Sequence, residues 1–147
     1  MRIAASACLA GKACRYDCKA KPSAGIAKRM AEGEEIFLIC PECLGGLAIP
    51  REPSELTGTG KAVLEGNARV MGKDGEDRTA QFLAGAHAAL AQLKDAGIKK
   101  VYLKSKSPSC GVGKIYDGTF TGTLTAGNGV AAELFLQNGI EVICIDE

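Results

Sequence analysis

Two hydrophobic rhythms alternate along this chain: short continuous apolar runs, and longer stretches in which apolar residues recur every three or four positions. Residues 2–9 form the first run and predict a strand ending at Gly11, followed by a polar, turn-like stretch over 12–21. Pro22 and Ser23 open a short helix through Met30, which Gly33 stops. Ile36-Phe37-Leu38-Ile39 has strand length and no polar face, the pattern of a strand covered on both sides, and Cys40-Pro41 ends it. Pro41, Pro50, Pro53 and the Gly45-Gly46 pair predict an irregular stretch, and 57–77 reads as loop with a short strand over 68–71. Phe82, Leu83, Ala86, Leu90 and Leu93 share one stripe of a helix over 79–96, with Asp77 as cap and Gly97 as stop. Val101-Tyr102-Leu103 is the next strand. Asp117-Gly118 predicts a hairpin turn between 115–116 and 119–120, then come a helix over 130–138 and a strand over 142–145.

Strand, helix, strand recurs in this order. The expected fold is therefore α/β, a mostly parallel sheet flanked by helices with a Gly/Thr-rich hairpin insertion. At 147 residues, with no fixed-period repeat and no low-complexity linker, residues 1–147 read as one domain that needs no disulfides. The 18 basic and 17 acidic residues nearly cancel, which removes the field a long nucleic acid would require and favours a small ligand. The first residues lack a secretory-signal pattern, and no apolar run spans a bilayer, so a cytoplasmic protein without a membrane partner is expected. Oligomeric state has no signature here.

Composition changes the picture through its seven cysteines. In a reducing compartment thiols serve as metal ligands, catalysts or buried apolar groups rather than disulfides. Cys144, within an apolar run, reads as core. Cys14 and Cys18 with the Cys40-x-x-Cys43 pair have the composition of a structural, non-enzymatic zinc site. Cys40-x-x-Cys43 alone also has the thioredoxin-like form, although Glu42 between the sulfurs disfavours a thiolate. Cys8, Cys40 and Cys110 each follow an apolar run and precede a Pro or Gly turn, so in an open α/β sheet they share one edge. Three thiolates on a four-iron cluster leave one iron open, an arrangement suited to Lewis-acid catalysis.

Cys8-Leu9-Ala10-Gly11 with Cys14-Arg15-Tyr16-Asp17, Cys40-Pro41-Glu42 with Gly45-Gly46-Leu47 and Pro50-Arg51, Ser107-Pro108-Ser109-Cys110-Gly111, and Ile115-Tyr116-Asp117-Gly118-Thr119-Phe120 with Gly122 occur in this order. Together they resemble the thiouracil desulfidase family, from about Ala7 to the C-terminus. The resemblance implies an α/β enzyme with an oxygen-sensitive [4Fe-4S] cluster that removes sulfur from a small thiolated compound such as 2-thiouracil, releasing sulfide. Carried over by motif, it implies Cys8, Cys40 and Cys110 as ligands, with Cys14 the alternative to Cys8. It implies Glu42 as the acidic catalytic residue and Ser107 as the serine near the cluster. The chain departs from the family pattern at Cys18, where Gly commonly follows Arg-Tyr-Asp, and at Cys43, where an aliphatic residue commonly follows Cys-Pro-Glu.

Read without the resemblance, Glu42 is a helix-start carboxylate, Ser107 and Ser109 are turn groups, and Lys104 and Lys106 either favour a Cys110 thiolate or are solvated. Gly127-Asn128-Gly129-Val130-Ala131-Ala132 has a Gly-x-Gly-x-x-Ala form, but only one strand follows it. A helix N-terminus open to a small anion is the most it supports. His87, the sole histidine, lies beside the apolar stripe and reads as a boundary residue.

Overall fold

The structure is a computed structural model and describes residues 3–10, 23–48 and 52–145. The polar stretch with Cys14 and Cys18, and Pro50 and Arg51, lie outside the described residues. The first apolar run forms β1 (Ile3–Ser6) and then a 3-10 turn (Ala7–Ala10). Next come α1 (Ala24–Ala31), whose cap Ser23 accepts from Ile26 N, and β2 (Ile36–Ile39). The chain continues through α2 (Pro41–Leu44), β3 (Ser54–Leu56), α3 (Gly60–Leu64), β4 (Val70–Gly72), α4 (Thr79–Asp95) and β5 (Lys100–Lys104). β6 (Lys114–Tyr116), β7 (Leu124–Ala126), α5 (Val130–Gln137) and β8 (Glu141–Ile145) complete it.

The main sheet has the order β2-β1-β5-β8 and every pairing in it is parallel. Its side chains alternate with the pleat. Ala4, Ile39, Val101 and Leu103 join the core that Phe82, Leu90 and Leu93 of α4 and Val130, Leu134 and Phe135 of α5 build on one face. Ile3, Ala5 and Tyr102, with Ile36, Leu38, Ile143 and Ile145, pack around Ile26 of α1 on the other. Helices therefore flank the sheet on both sides, as a parallel sheet requires. β2 and β8 are the sheet's edges, which leaves Phe37 38% exposed although its run reads as fully covered.

Four expectations are corrected. The stretches read as irregular or loop hold short elements: α2 follows Cys40, α3 lies within 57–77, and β3 between them pairs antiparallel with β4. Thr59 caps α3 by accepting from Ala62 N at 3.1 Å, and Pro41 occupies the first turn of α2, where its missing N–H costs nothing. The hairpin is present, but β6 pairs with β7 rather than with 119–120, so the turn is wider than a two-residue one. Cys144 is exposed, because β8 is an edge strand that no further strand covers. His87 is exposed as well. Among the described residues no helix is long and apolar enough to cross a membrane.

Candidate metal centre at the sheet's carboxyl edge

β1, β2 and β5 point the same way, and register sets their ends level: Ser6 pairs with Ile39, and Ala5 with both Leu38 and Tyr102. The chain runs from β1 toward β2 on one side and from β5 toward β8 on the other, so the order reverses between β1 and β5. In open α/β sheets ligands bind at the carboxyl ends of the strands where this reversal opens a crevice. Cys8 lies in the 3-10 turn after β1, Cys40 directly follows β2, and Cys110 closes the loop after β5.

The three thiols sense one another. Burial raises the Cys110 thiol's affinity for its proton most, negative charge on Cys40 and on Cys8 raises it further, and the Ser109 and Ser6 hydroxyls oppose the rise. Cys8 and Cys110 are buried and Cys40 is half-buried. The Cys110 thiol thus resists ionisation until a cation is present, which reverses the sign of the local field.

The Cys110 loop is tied to the body of the protein through its backbone. Ser107 Oγ accepts from Ser109 N at 3.2 Å and from Cys110 N at 3.0 Å, while Gly111 N donates to Ser107 O. The first amides of α5 are taken: Val130 N donates to Pro108 O, and Ala131 N and Ala132 N to Ser109 O. That corrects the expectation of an anion at this helix N-terminus, since its donors serve the cysteine loop instead. Gly129 has to be glycine because an added Cβ would strike the Ser109 and Pro108 carbonyl groups. Lys106, just before the loop, holds a left-handed φ of 77°, a conformation that costs a lysine energy and marks the loop as over-determined by its surroundings.

α2 carries Cys40 as its cap and Glu42 in its first turn. It lies against α4 so closely that a Cβ on Gly45 would collide with Gln81 O, and one on Gly85 with Pro41 O. Cys43 is exposed and hydrogen-bonded to Cys40; its thiol is pushed up to about 11, by burial first and then by Cys40. Among the described residues no three His, Cys, Asp or Glu side chains close around a single ion. A zinc site using Cys14, Cys18, Cys40 and Cys43 has no support, and its first two members lie outside the described residues. A four-iron cluster asks something different of its ligands: each thiolate binds a separate corner, so the sulfurs stand apart around a shared volume. The donor set at this edge, three thiols and two buried hydroxyls, fits such a group.

Sequence reasoning missed two kinds of residue. Ser6 Oγ lies 3.3 Å from Cys8 Sγ, and Ser109 is buried beside Cys110. The only available signal was their spacing from the cysteines. Glu55, also buried, accepts at Oε1 from Gly118 N at 3.0 Å and Phe120 N at 3.2 Å, which pins the hairpin turn to β3.

Residues 3–147 match the family of 2-thiouracil desulfurases. The uncharacterized protein YbbK of Bacillus subtilis (strain 168) is 44% identical over 146 residues, covering 99% of this chain and 96% of that protein. Among solved structures, the [4Fe-4S]-dependent thiouracil desulfidase TudS superposes with a TM-score of 0.85 at 39% identity, over 97% of this chain and 89% of that one.

Proposed function

This chain belongs to the 2-thiouracil desulfurase family, and from that premise we propose that it is a [4Fe-4S]-dependent desulfidase, one catalytic domain that removes sulfur from a small thiolated pyrimidine such as 2-thiouracil and releases sulfide. The observation that carries the reading is the placement of Cys8, Cys40 and Cys110 directly after β1, β2 and β5, whose ends the parallel register sets level at the carboxyl edge of the sheet. These three thiolates would hold the cluster. Bound there, it supplies an iron with no protein ligand, a Lewis acid with affinity for a soft sulfur atom.

The net change is hydrolytic: a C–O bond to water forms, the C–S bond breaks, and hydrogen sulfide leaves with no change of oxidation state at carbon. The chain's own residues have to handle two protons. Glu42, two positions from Cys40 and half-buried, takes the proton of the adding water and returns one to the departing sulfur. Ser107 has committed its oxygen to the N–H groups of Ser109 and Cys110, so toward substrate it acts through its O–H, donating to a carbonyl or ring nitrogen of the pyrimidine. The half-burial of Cys40 would leave such a cluster within reach of oxygen, so the loaded enzyme should be oxygen-sensitive.

The test is turnover under anaerobic conditions. Reconstituted protein given 2-thiouracil should convert it to uracil with one sulfide per turnover, while Glu42→Gln should keep its iron and lose at least about a hundredfold in rate. Iron-loaded wild type that leaves every thiopyrimidine and thionucleoside unchanged contradicts the assignment. Loss of iron in Glu42→Gln moves Glu42 from proton transfer to structure.

A further inference from the structure

Ser109 and Ser6 are buried hydroxyls at the site with no part in the chemistry derived so far. Ser109 is 1% exposed, and its Oγ has no hydrogen-bond partner among the described residues. It cannot turn to solvent, because its backbone is held at both ends: Ser109 N donates to Ser107 Oγ, and Ser109 O accepts from Ala131 N and Ala132 N. A sealed, unpaired hydroxyl is a cost that native proteins rarely carry without a group to satisfy it. Ser109 directly precedes Cys110 in the loop after β5, so its sealed hydroxyl lies in the immediate surroundings of that thiol. Ser6, 5% exposed at the end of β1, stands 3.3 Å from Cys8 Sγ.

With no metal present a thiol and a hydroxyl can each donate, and the contact between Ser6 and Cys8 has no fixed direction. Ligation removes the thiol proton and leaves sulfur an acceptor only, so each hydroxyl becomes the donor. We infer that Ser109 and Ser6 are positioning residues whose hydroxyls donate to the sulfur atoms of the iron–sulfur group held by Cys8, Cys40 and Cys110. The inference rests on the cluster reading above. Hydrogen bonds to cluster sulfur stabilise the more negative, reduced form and raise the reduction potential. A serine kept only for its small size would do neither.

The two roles separate in experiments that need no turnover. Wild type, S6A, S109A and S109T are reconstituted anaerobically, and iron, sulfide and reduction potential are measured for each. Equal iron in all four is expected, with the potential lower in S6A and S109A and restored toward wild type in S109T, which keeps a hydroxyl. In the metal-free protein S109A should unfold at the same temperature as wild type or higher, because it deletes an unpaired polar group. S109A that loads fully and keeps the wild-type potential overturns the role of Ser109. If S109A fails to load, wild type exchanged into deuterium oxide decides: the reduced cluster should show magnetic coupling to an exchangeable deuteron that S6A diminishes, and no coupling overturns the inference. Wild type that takes up no iron overturns the cluster reading and this inference with it, whereas loaded wild type indifferent to both serines overturns the inference alone.

Discussion

At the residue scale, what burial does to a thiol decides which cysteines matter. Cys43 and Cys40 touch, but Cys43 is exposed at the outer side of a four-residue helix, whereas Cys8 and Cys110 are buried beside buried hydroxyls. Cys43→Ala should therefore retain the iron content of wild type, and Cys110→Ala should lose it; colorimetric iron assays after anaerobic desalting check both. The shared edge of Cys8, Cys40 and Cys110 was legible in sequence because each follows an apolar run, and strand ends in a parallel sheet lie together. Ser6 and Ser109 were not, since an unpaired hydroxyl is a property of packing rather than of a motif. Cys144 misled for a related reason: apolar neighbours at 142, 143 and 145 reveal a strand but not that it is the edge of its sheet. Far from the site, Asp74 sits well below its ordinary carboxyl value of 3.8, at about 2, chiefly through its hydrogen bonds to the Arg78 guanidinium. A lowered carboxyl stabilises the fold above its unfolded value and loses that contribution as pH falls through the folded one. The difference in unfolding temperature between wild type and Asp74→Asn, small because the pair is exposed, should be present at pH 6 and fade as pH drops through about 2.

At the scale of elements, the short ones escaped the sequence and the long ones did not. α4 spans enough turns for its stripe to show, although its start is stabilised from one position further back than a standard cap, with Thr79 N donating to Asp77 Oδ1 at 2.9 Å. α2 and α3 are too brief for periodicity, and Pro41 reads equally as the end of a strand and the start of a helix. A hairpin was legible near Asp117-Gly118 but its partner strand was not: β6 pairs with 124–126 rather than 119–120, and Glu55 accepts from the amides of Gly118 and Phe120 within the wider turn, a long-range contact no local pattern encodes. Glu55→Ala should accordingly speed hydrogen exchange at the amides of residues 118 and 120 while leaving those within α4 protected, as read by NMR. The contact between Gly45 and Gly85 is what brings Cys40 and Glu42 to the site. Gly85→Ala places a methyl against Pro41 O and should destabilise the metal-free protein by about 1–3 kcal/mol in urea titrations, lowering iron uptake with it.

At the scale of the whole molecule, the sheet order β2-β1-β5-β8 turns three distant thiols into neighbours. The alternation of strand and helix foretold a parallel sheet with helices on both faces. It did not foretell that β3-β4 and β6-β7 would form separate two-stranded sheets, because strands of three residues carry too little pattern to declare a partner. The crevice between β1 and β5 follows from topology alone, and the chemistry placed there follows from the loops. Truncating Phe82, buried in the core beneath that edge, to Ala should cost about 3–5 kcal/mol and weaken the scaffold without removing a ligand. The central claim is that Cys8, Cys40 and Cys110 together hold one cluster, and the count of iron and acid-labile sulfide per chain after anaerobic reconstitution tests it most directly. Wild type should hold about four of each, and Cys8→Ala, Cys40→Ala and Cys110→Ala should each fall far below that. Full loading in any of the three single variants, or one metal ion and no sulfide in wild type, would contradict it.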